Sequence, residues 1–153
     1  MLRFDYFIDQ SHIPHSGLGL FTKNDIKTKD VVIFPNQFHQ TYSEIEFDQL
    51  PKDSIEYISG IRWFDNTYSA DPEWSAESHL NHSFTPNCLW HLGFVIALKD
   101  IKAGEELTIN YCYLLGANTT LDYNDSVTGR EIKGLSWDQK MLETSQILVQ
   151  LFK

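Results

Sequence analysis

Three stretches of this 153-residue chain combine residue types that packing alone seldom requires. Residues Asn81 to Cys88 read NHSFTPNC, placing an amide, an imidazole and a hydroxyl side by side before Pro86 and a second amide, Asn87. Thr85-Pro86 fixes an extended or turning backbone, and Asn-His-Ser can satisfy backbone groups locally. Alone, the stretch also reads as a polar turn between two strands. Residues Gly104 to Tyr113 read GEELTINYCY. On a strand ending at Tyr111, a period of two sets Leu107, Ile109, Tyr111 and Tyr113 on one face. Two phenols there are either core residues with hydrogen-bonded tips or the lining of a narrow apolar channel. The third stretch, HSGLGLF, contains Gly17-Leu18-Gly19. Strand-like Leu20-Phe21 follows it instead of a helix, so a dinucleotide fold is rejected. What remains is close approach of the backbone to a ligand, or a bulge.

His79, His82 and His91 invite a metal reading. Their spacing matches no common zinc pattern, and with only two cysteines, Cys88 and Cys112, no four-cysteine site can form. No metal site is expected. The net charge of −9 argues against a nucleic-acid surface and suits a basic partner such as a Lys-rich tail. No apolar run approaches the ~20 residues of a membrane span. The start, MLRFDYFIDQ, lacks the pattern of a secretion signal, so an intracellular site, cytoplasmic or nuclear, is expected.

The elements that must position these residues are mostly short strands. Leu2, Phe4, Tyr6 and Ile8 alternate with partly polar neighbours, and apolar runs follow at GLGLF, DVVIF, GIRWF, LWHL, FVIAL and LTINYCYLL. One short helix is expected from Ser43, with Ser43 and Glu46 as a capping box. NDIKTKDVVIF (24–34) echoes KDIKAGEELTI (99–109), which suggests two similar strand–turn–strand units in one small sheet system. Gly116 to Gly134 is polar and poor in pattern, and reads as a long loop. A second helix is expected over Ser136 to Phe152, opened by a Ser136/Gln139 capping box. Its apolar stripe would be Trp137, Met141, Leu148 and Phe152.

G-x-G, then N-H-S-x-x-P-N-C, then G-E-E-L-T-x-x-Y about twenty residues later occur in that order, and together they closely resemble the SET-domain protein lysine methyltransferases. The resemblance covers Ser16 to Tyr113 and extends to Trp137. It implies a mainly β fold of small curled sheets with a knot-like site, followed by a C-terminal α-helix. Residues 1–115 would be the SET core, and 116–153 a flanking loop and lid helix.

The resemblance also implies roles. Gly17, Leu18 and Gly19 would bring backbone to S-adenosylmethionine. Asn81 would hold its methionine end, and the main chain of His82 would read its adenine. Trp137 would pack on the adenine. Tyr111 is the implied catalytic tyrosine, with Tyr113 beside it, and Trp90, Ile109 and Tyr113 would line the lysine channel. The implied partner is a protein or peptide lysine, histone-like in charge, with a homodimer as an option for so small a domain. A free lysine has a pKa near 10.4, so neutralising it at pH 7 costs about 4–5 kcal/mol, which an apolar aromatic channel reduces by desolvation. The chain departs from the family pattern at three places. Pro35 stands near an expected channel tyrosine, Asn110 stands where many members have Asp, and the bulk of Trp90 suggests few methyl additions. No cysteine cluster follows the core. A second reading is a non-catalytic module of the same fold that binds cofactor or peptide without turnover.

Overall fold

Short strands set the architecture because β-branched and aromatic residues recur in runs too brief for helices. The computed structural model describes residues 2–34, 40–62, 67–70 and 75–153. Strand β1 (Tyr6–Gln10) folds back antiparallel on β2 (Leu18–Thr22). Next come β3 (Val31–Ile33), β4 (Gln40–Ser43), β5 (Ile61–Arg62), β6 (Thr67–Ala70) and β7 (Asn81–His82). β8 (Cys88–His91), β9 (Phe94–Ala97) and β10 (Thr108–Ile109) follow, then β11 (Thr120–Asn124) and β12 (Glu131–Lys133). Two three-stranded sheets, β3-β9-β8 and β4-β6-β5, are flanked by the two-stranded pairs β1-β2, β7-β10 and β11-β12. The helices are α1 (Glu44–Asp48), α2 (Ile55–Ile58) and α3 (Trp137–Leu151). The mainly β, small-sheet fold with a C-terminal helix is the one the sequence implies.

The core sits between β2, β3, β8, β9 and the 101–109 segment. Leu20, Val32, Ile33, Cys88, Val95, Ile101, Leu107 and Ile109 are all buried there. In β1 the alternation runs opposite to the one suggested by Tyr6 and Ile8. Both are exposed, and Phe7 is the residue that stacks on Phe21, with ring centroids 5.2 Å apart.

The two D-I-K segments turn out to be partners of one another. Ile26 and Ile101 exchange both backbone hydrogen bonds at 2.9 Å. Lys27 pairs with Asp100 at 3.2 Å, and Lys102 pairs with Asp25 at 2.8 Å, so the arrangement is reciprocal. Asp100 also accepts from the Thr28 amide and Asp25 from the Ala103 amide. The echo in sequence is a local two-fold in space, and it ties the early strands to the segment that leads into β10.

Both capping boxes form, at Ser43/Glu46 and Ser136/Gln139. Three other expectations change. The strand expected through LTINYCYLL stops at Ile109, because the Asn110 side chain accepts from the Cys112 amide and starts a 3-10 turn over Tyr111–Tyr113. The polar stretch 116–134 is not a plain loop, since β11 and β12 pair as a hairpin with a shift of register. Helix α3 keeps Met141 and Leu148 half-buried, but its fully buried line is Lys140 and Thr144, with Trp137 and Phe152 exposed. Here a lysine stem and a threonine pack inward because each finds a hydrogen-bond partner, Leu115 for Lys140 and His91 for Thr144. Pro35 and the Trp63-Phe64 end of GIRWF lie outside the described residues.

Candidate active site

Parallel pairing of β7 with β10 sets Asn81 beside Thr108 and His82 beside Ile109. Parallel neighbours need a long crossover, and here it runs through the TPNC turn, β8 and β9. Asn87 fastens that crossover. Its amide donates to the Glu106 carbonyl at 2.8 Å, while its oxygen accepts from the Thr108 amide at 2.8 Å. The two chemistry-bearing motifs are thus held edge to edge by one buried asparagine.

Glu106 is the hub. One carboxylate oxygen accepts from the Ser11 hydroxyl at 2.7 Å and from Asn81 Nδ2 at 2.8 Å, and the other accepts from the His12 amide at 2.9 Å. The second hydrogen of Asn81 Nδ2 goes to the Leu18 carbonyl at 3.0 Å. With both amide hydrogens committed, Asn81 has only its Oδ1 left, as an acceptor, to offer a ligand. The G-x-G glycines serve two different needs. Gly17 has φ +69, the left-handed region that glycine enters without steric cost. Gly19 is extended, but a Cβ there would lie 2.4 Å from Glu106 Oε1. Close approach at Gly19 is therefore made to Glu106, which reaches Asn81 across the space a side chain would fill.

Beside this network lies a cavity of about 700 Å³, within the usual range for ligand sites. Its walls are the 13–16 turn, Asn81 and His82 of β7, Tyr111, residues 123–126 at the end of the hairpin, and Ile132. Gly17, Leu18 and Gly19 do not line it, although the Leu18 carbonyl accepts from Asn81. The hairpin is fastened over the cavity partly by Arg130, whose guanidinium lies 4.0 Å from the Phe84 ring centroid of NHSF. His82 Nδ1 accepts the Tyr111 amide at 3.0 Å, so the imidazole proton belongs on Nε2. Burial holds the His82 pKa below its ordinary value, which keeps that acceptor neutral. The Tyr111 hydroxyl donates to the Leu80 carbonyl at 2.6 Å. Burial pushes its pKa well above the ordinary phenol value, so it stays protonated and offers a ligand only oxygen lone pairs.

A second, much smaller cavity of about 20 Å³ is lined by Trp90, His91, Tyr113, Trp137, Lys140, Met141 and their neighbours. The 3-10 turn separates the phenols, sending Tyr111 to the large cavity and Tyr113 to the small one. Tyr113 donates to Glu143 at 3.2 Å, and burial together with that carboxylate pushes its pKa up to about 12. Trp137 thus stands with Trp90 and Tyr113, not with Asn81, His82 and Tyr111. Ile109 is buried in the core and lines neither cavity. Among the described residues, no group of three His, Cys, Asp or Glu side chains could hold a metal ion, and no helix is long and apolar enough to cross a membrane.

The ordered motifs, the parallel β7–β10 pair and the small sheets are one arrangement, and a family model for the SET domain matches residues 17–112. The chain belongs to the SET-domain family. It is also 28% identical over 147 residues to the histone-lysine N-methyltransferase SETD7 of Halocynthia roretzi. That match covers 87% of this chain and 36% of the relative, so the chain spans about a third of the length of the curated relative it matches.

Sequence reasoning named Asn81, His82 and Tyr111 of the large cavity. It missed Glu106, the 13–16 turn and the hairpin. Glu106 lay inside a motif already singled out, and the signal was its place two residues before β10. The hairpin had a weaker signal: Leu121 and Tyr123 alternate with polar residues, and Thr128-Gly129 is a turn dipeptide.

Proposed function

We propose that this SET-domain chain is an S-adenosylmethionine-dependent protein-lysine N-methyltransferase acting on a lysine of a basic, histone-like protein. The observation that carries this is the paired polarity of Asn81 and Tyr111. Each has its donors spent on the protein and presents only an acceptor oxygen, which is what a ligand bearing an ammonium and a sulfonium requires. The residues fit that cofactor: the cavity is large enough, and Asn81 Oδ1 is aligned by a buried carboxylate behind it. When bound, S-adenosylmethionine supplies a methyl group on positively charged sulfur, open to in-line attack by an amine.

The chain's own contribution is positioning and electrostatics. Glu106 fixes Asn81, and His82 fixes the backbone of Tyr111 through its Nδ1. The protonated Tyr111 phenol is no base. It is an oriented acceptor, worth most in a site from which water is excluded. The substrate ammonium has to lose its proton before attack, and entry among Trp90, Tyr113 and Trp137 favours the neutral amine by desolvation. The bulk of Trp90 on that side favours few methyl additions. The core at 1–115 and the flanking hairpin and helix at 116–153 divide the labour, the first holding the cofactor and the second covering both cavities.

The test is titration calorimetry with S-adenosylmethionine, followed by transfer of labelled methyl groups to histone-tail peptides. Binding with stoichiometry near one and label on lysine are expected. Binding without transfer across a broad panel of Lys-rich proteins would move the assignment to a non-catalytic binding module. A well-folded protein that does not bind the cofactor ends both readings.

A further inference from the structure

Lys140 is the least expected residue in the second cavity. It is 5% exposed, on a helix with open solvent available on its other faces. Its Nζ donates to the Leu115 carbonyl, at the end of the turn that begins with Tyr111. A lysine is almost never buried without a specific reason, and its four methylenes and ammonium are themselves the shape of a substrate lysine. Trp90, Tyr113 and Trp137 line the same cavity. The space left beside Lys140 and Met141, about 20 Å³, holds roughly one water and no second lysine.

We propose that Lys140 is an internal pseudosubstrate: α3 holds the chain's own lysine in the place assigned above to the substrate lysine, and substrate enters only when Lys140 leaves. The inference rests on the methyltransferase reading of that cavity. It goes further by giving α3 an inhibitory role and by naming the contact that must break. Lys140 feels the charges of Arg62 from β5, Glu44 from α1 and Cys112 from the 3-10 turn, and shares the Leu115 carbonyl with Arg62, whose Nη1 donates to it at 3.4 Å. Arg62 repels the ammonium and Glu44 attracts it. Burial is the larger influence, and with Arg62 it draws the Lys140 pKa down to about 8. The latch is therefore weak by construction, an ammonium held in an unfavourable setting by one carbonyl and a distant carboxylate.

If the open form is about one-tenth of the population, apparent substrate affinity is reduced about tenfold. Lys140→Ala empties the place and should lower KM for an unmethylated histone-tail peptide by about that factor, with kcat and S-adenosylmethionine affinity unchanged. Lys140→Met, which keeps the bulk without the buried charge, should hold the place more firmly and leave KM at or above the wild-type value. A second readout uses the wild-type protein without turnover. Acetic anhydride labelling, mapped by mass spectrometry, should modify Lys140 faster when saturating peptide is present, because peptide displaces it. Transfer by a folded Lys140→Ala protein at wild-type KM, or labelling of Lys140 unchanged by bound peptide, would overturn the proposal while leaving the methyltransferase reading intact. Absence of cofactor binding and of transfer in every variant overturns that reading and the proposal with it.

Discussion

The two cavities on either side of the Tyr111–Tyr113 turn differ in how they are built. The large one is preformed: Asn81, Tyr111 and Glu106 are already paired with protein groups, while the buried Nε2 of His82 has no partner among the described residues. Asn81 is held by Glu106 and Leu18, Tyr111 by Leu80 and His82, and Glu106 by Ser11 and His12. The small one is closed. Helix α3 fills it with Lys140 and Met141, and its hydrogen bonds run from α3 to the 3-10 turn and its end, Tyr113 to Glu143 and Lys140 to Leu115. A preformed site loses little on ligand entry, whereas a closed one must first give up the contacts that close it. The first arrangement suits a cofactor bound in every cycle, and the second suits a site where admission is selective.

The largest effect should come from breaking the hub of the large cavity. Glu106→Ala leaves Asn81 Nδ2, the Ser11 hydroxyl and the His12 amide without their acceptor in a partly buried place. A loss of about 3 kcal/mol in unfolding free energy is expected, since hydrogen bonds to charged groups contribute roughly 1.5–3 kcal/mol each. S-adenosylmethionine affinity should fall with it. Denaturant unfolding and calorimetry measure the two, and undiminished affinity would show that Asn81 does not need Glu106 for its alignment.

The next effect separates the phenols. Tyr111→Phe should reduce single-turnover methyl transfer on the order of a hundredfold, the scale for one lost preorganised polar group, with a much smaller loss of cofactor affinity because Asn81 still offers its acceptor. Tyr113→Phe faces the small cavity and should cost much less in transfer. Equal losses for the two would erase the distinction drawn between the cavities. Trp137→Ala belongs to the same comparison. Because Trp137 lines the small cavity, cofactor affinity should hold in this variant, and a large drop would return Trp137 to the adenine side.

A smaller effect concerns stability and pH at Lys140. Its folded pKa, about 8, lies below the ordinary lysine value of 10.5. Between those values the unfolded chain holds a proton that the folded chain has released, so stability rises with pH across that window. Well below pH 8 the buried ammonium costs the fold about 3 kcal/mol. Lys140→Met should therefore raise the melting temperature at pH 7 and flatten its rise between pH 8 and 10. A variant that melts lower at pH 7 would mean that the bond to Leu115 outweighs burial of the charge.

The smallest expected change is at His82. Its folded pKa lies below the ordinary 6.5, so stability is complete above 6.5 and is lost as pH falls through the lowered folded value. Protonation also removes the acceptor for the Tyr111 amide. Transfer should decline in that acidic range, with a parallel chemical-shift change at the Tyr111 amide in NMR. A Tyr111 amide unmoved while His82 titrates would dissociate the two.

The sequence by itself determined the order of the motifs, and with it the family, the mainly β fold and the identities of Asn81, His82 and Tyr111. The family and the three site residues were legible through the resemblance of the ordered motifs, and the turns, caps and short strands because each depends on local chemistry: a turn needs Pro or Gly, and a capped helix needs Ser with Glu or Gln. Even the D-I-K echo was visible, although only the fold showed that its two copies pair with each other. Tertiary structure decided what depends on neighbours distant in the chain. Gly19 is small because of Glu106, 87 residues away, which no local pattern records. Tyr113 leaves the face of Tyr111 because Asn110 bonds the Cys112 amide and ends the strand, a choice between two conformations that the sequence allows equally. Lys140 turns inward because a carbonyl from Leu115 is waiting there, and only packing of α3 on β8 brings the two together. Residue type predicts burial from average solvation. A single buried partner is enough to reverse it.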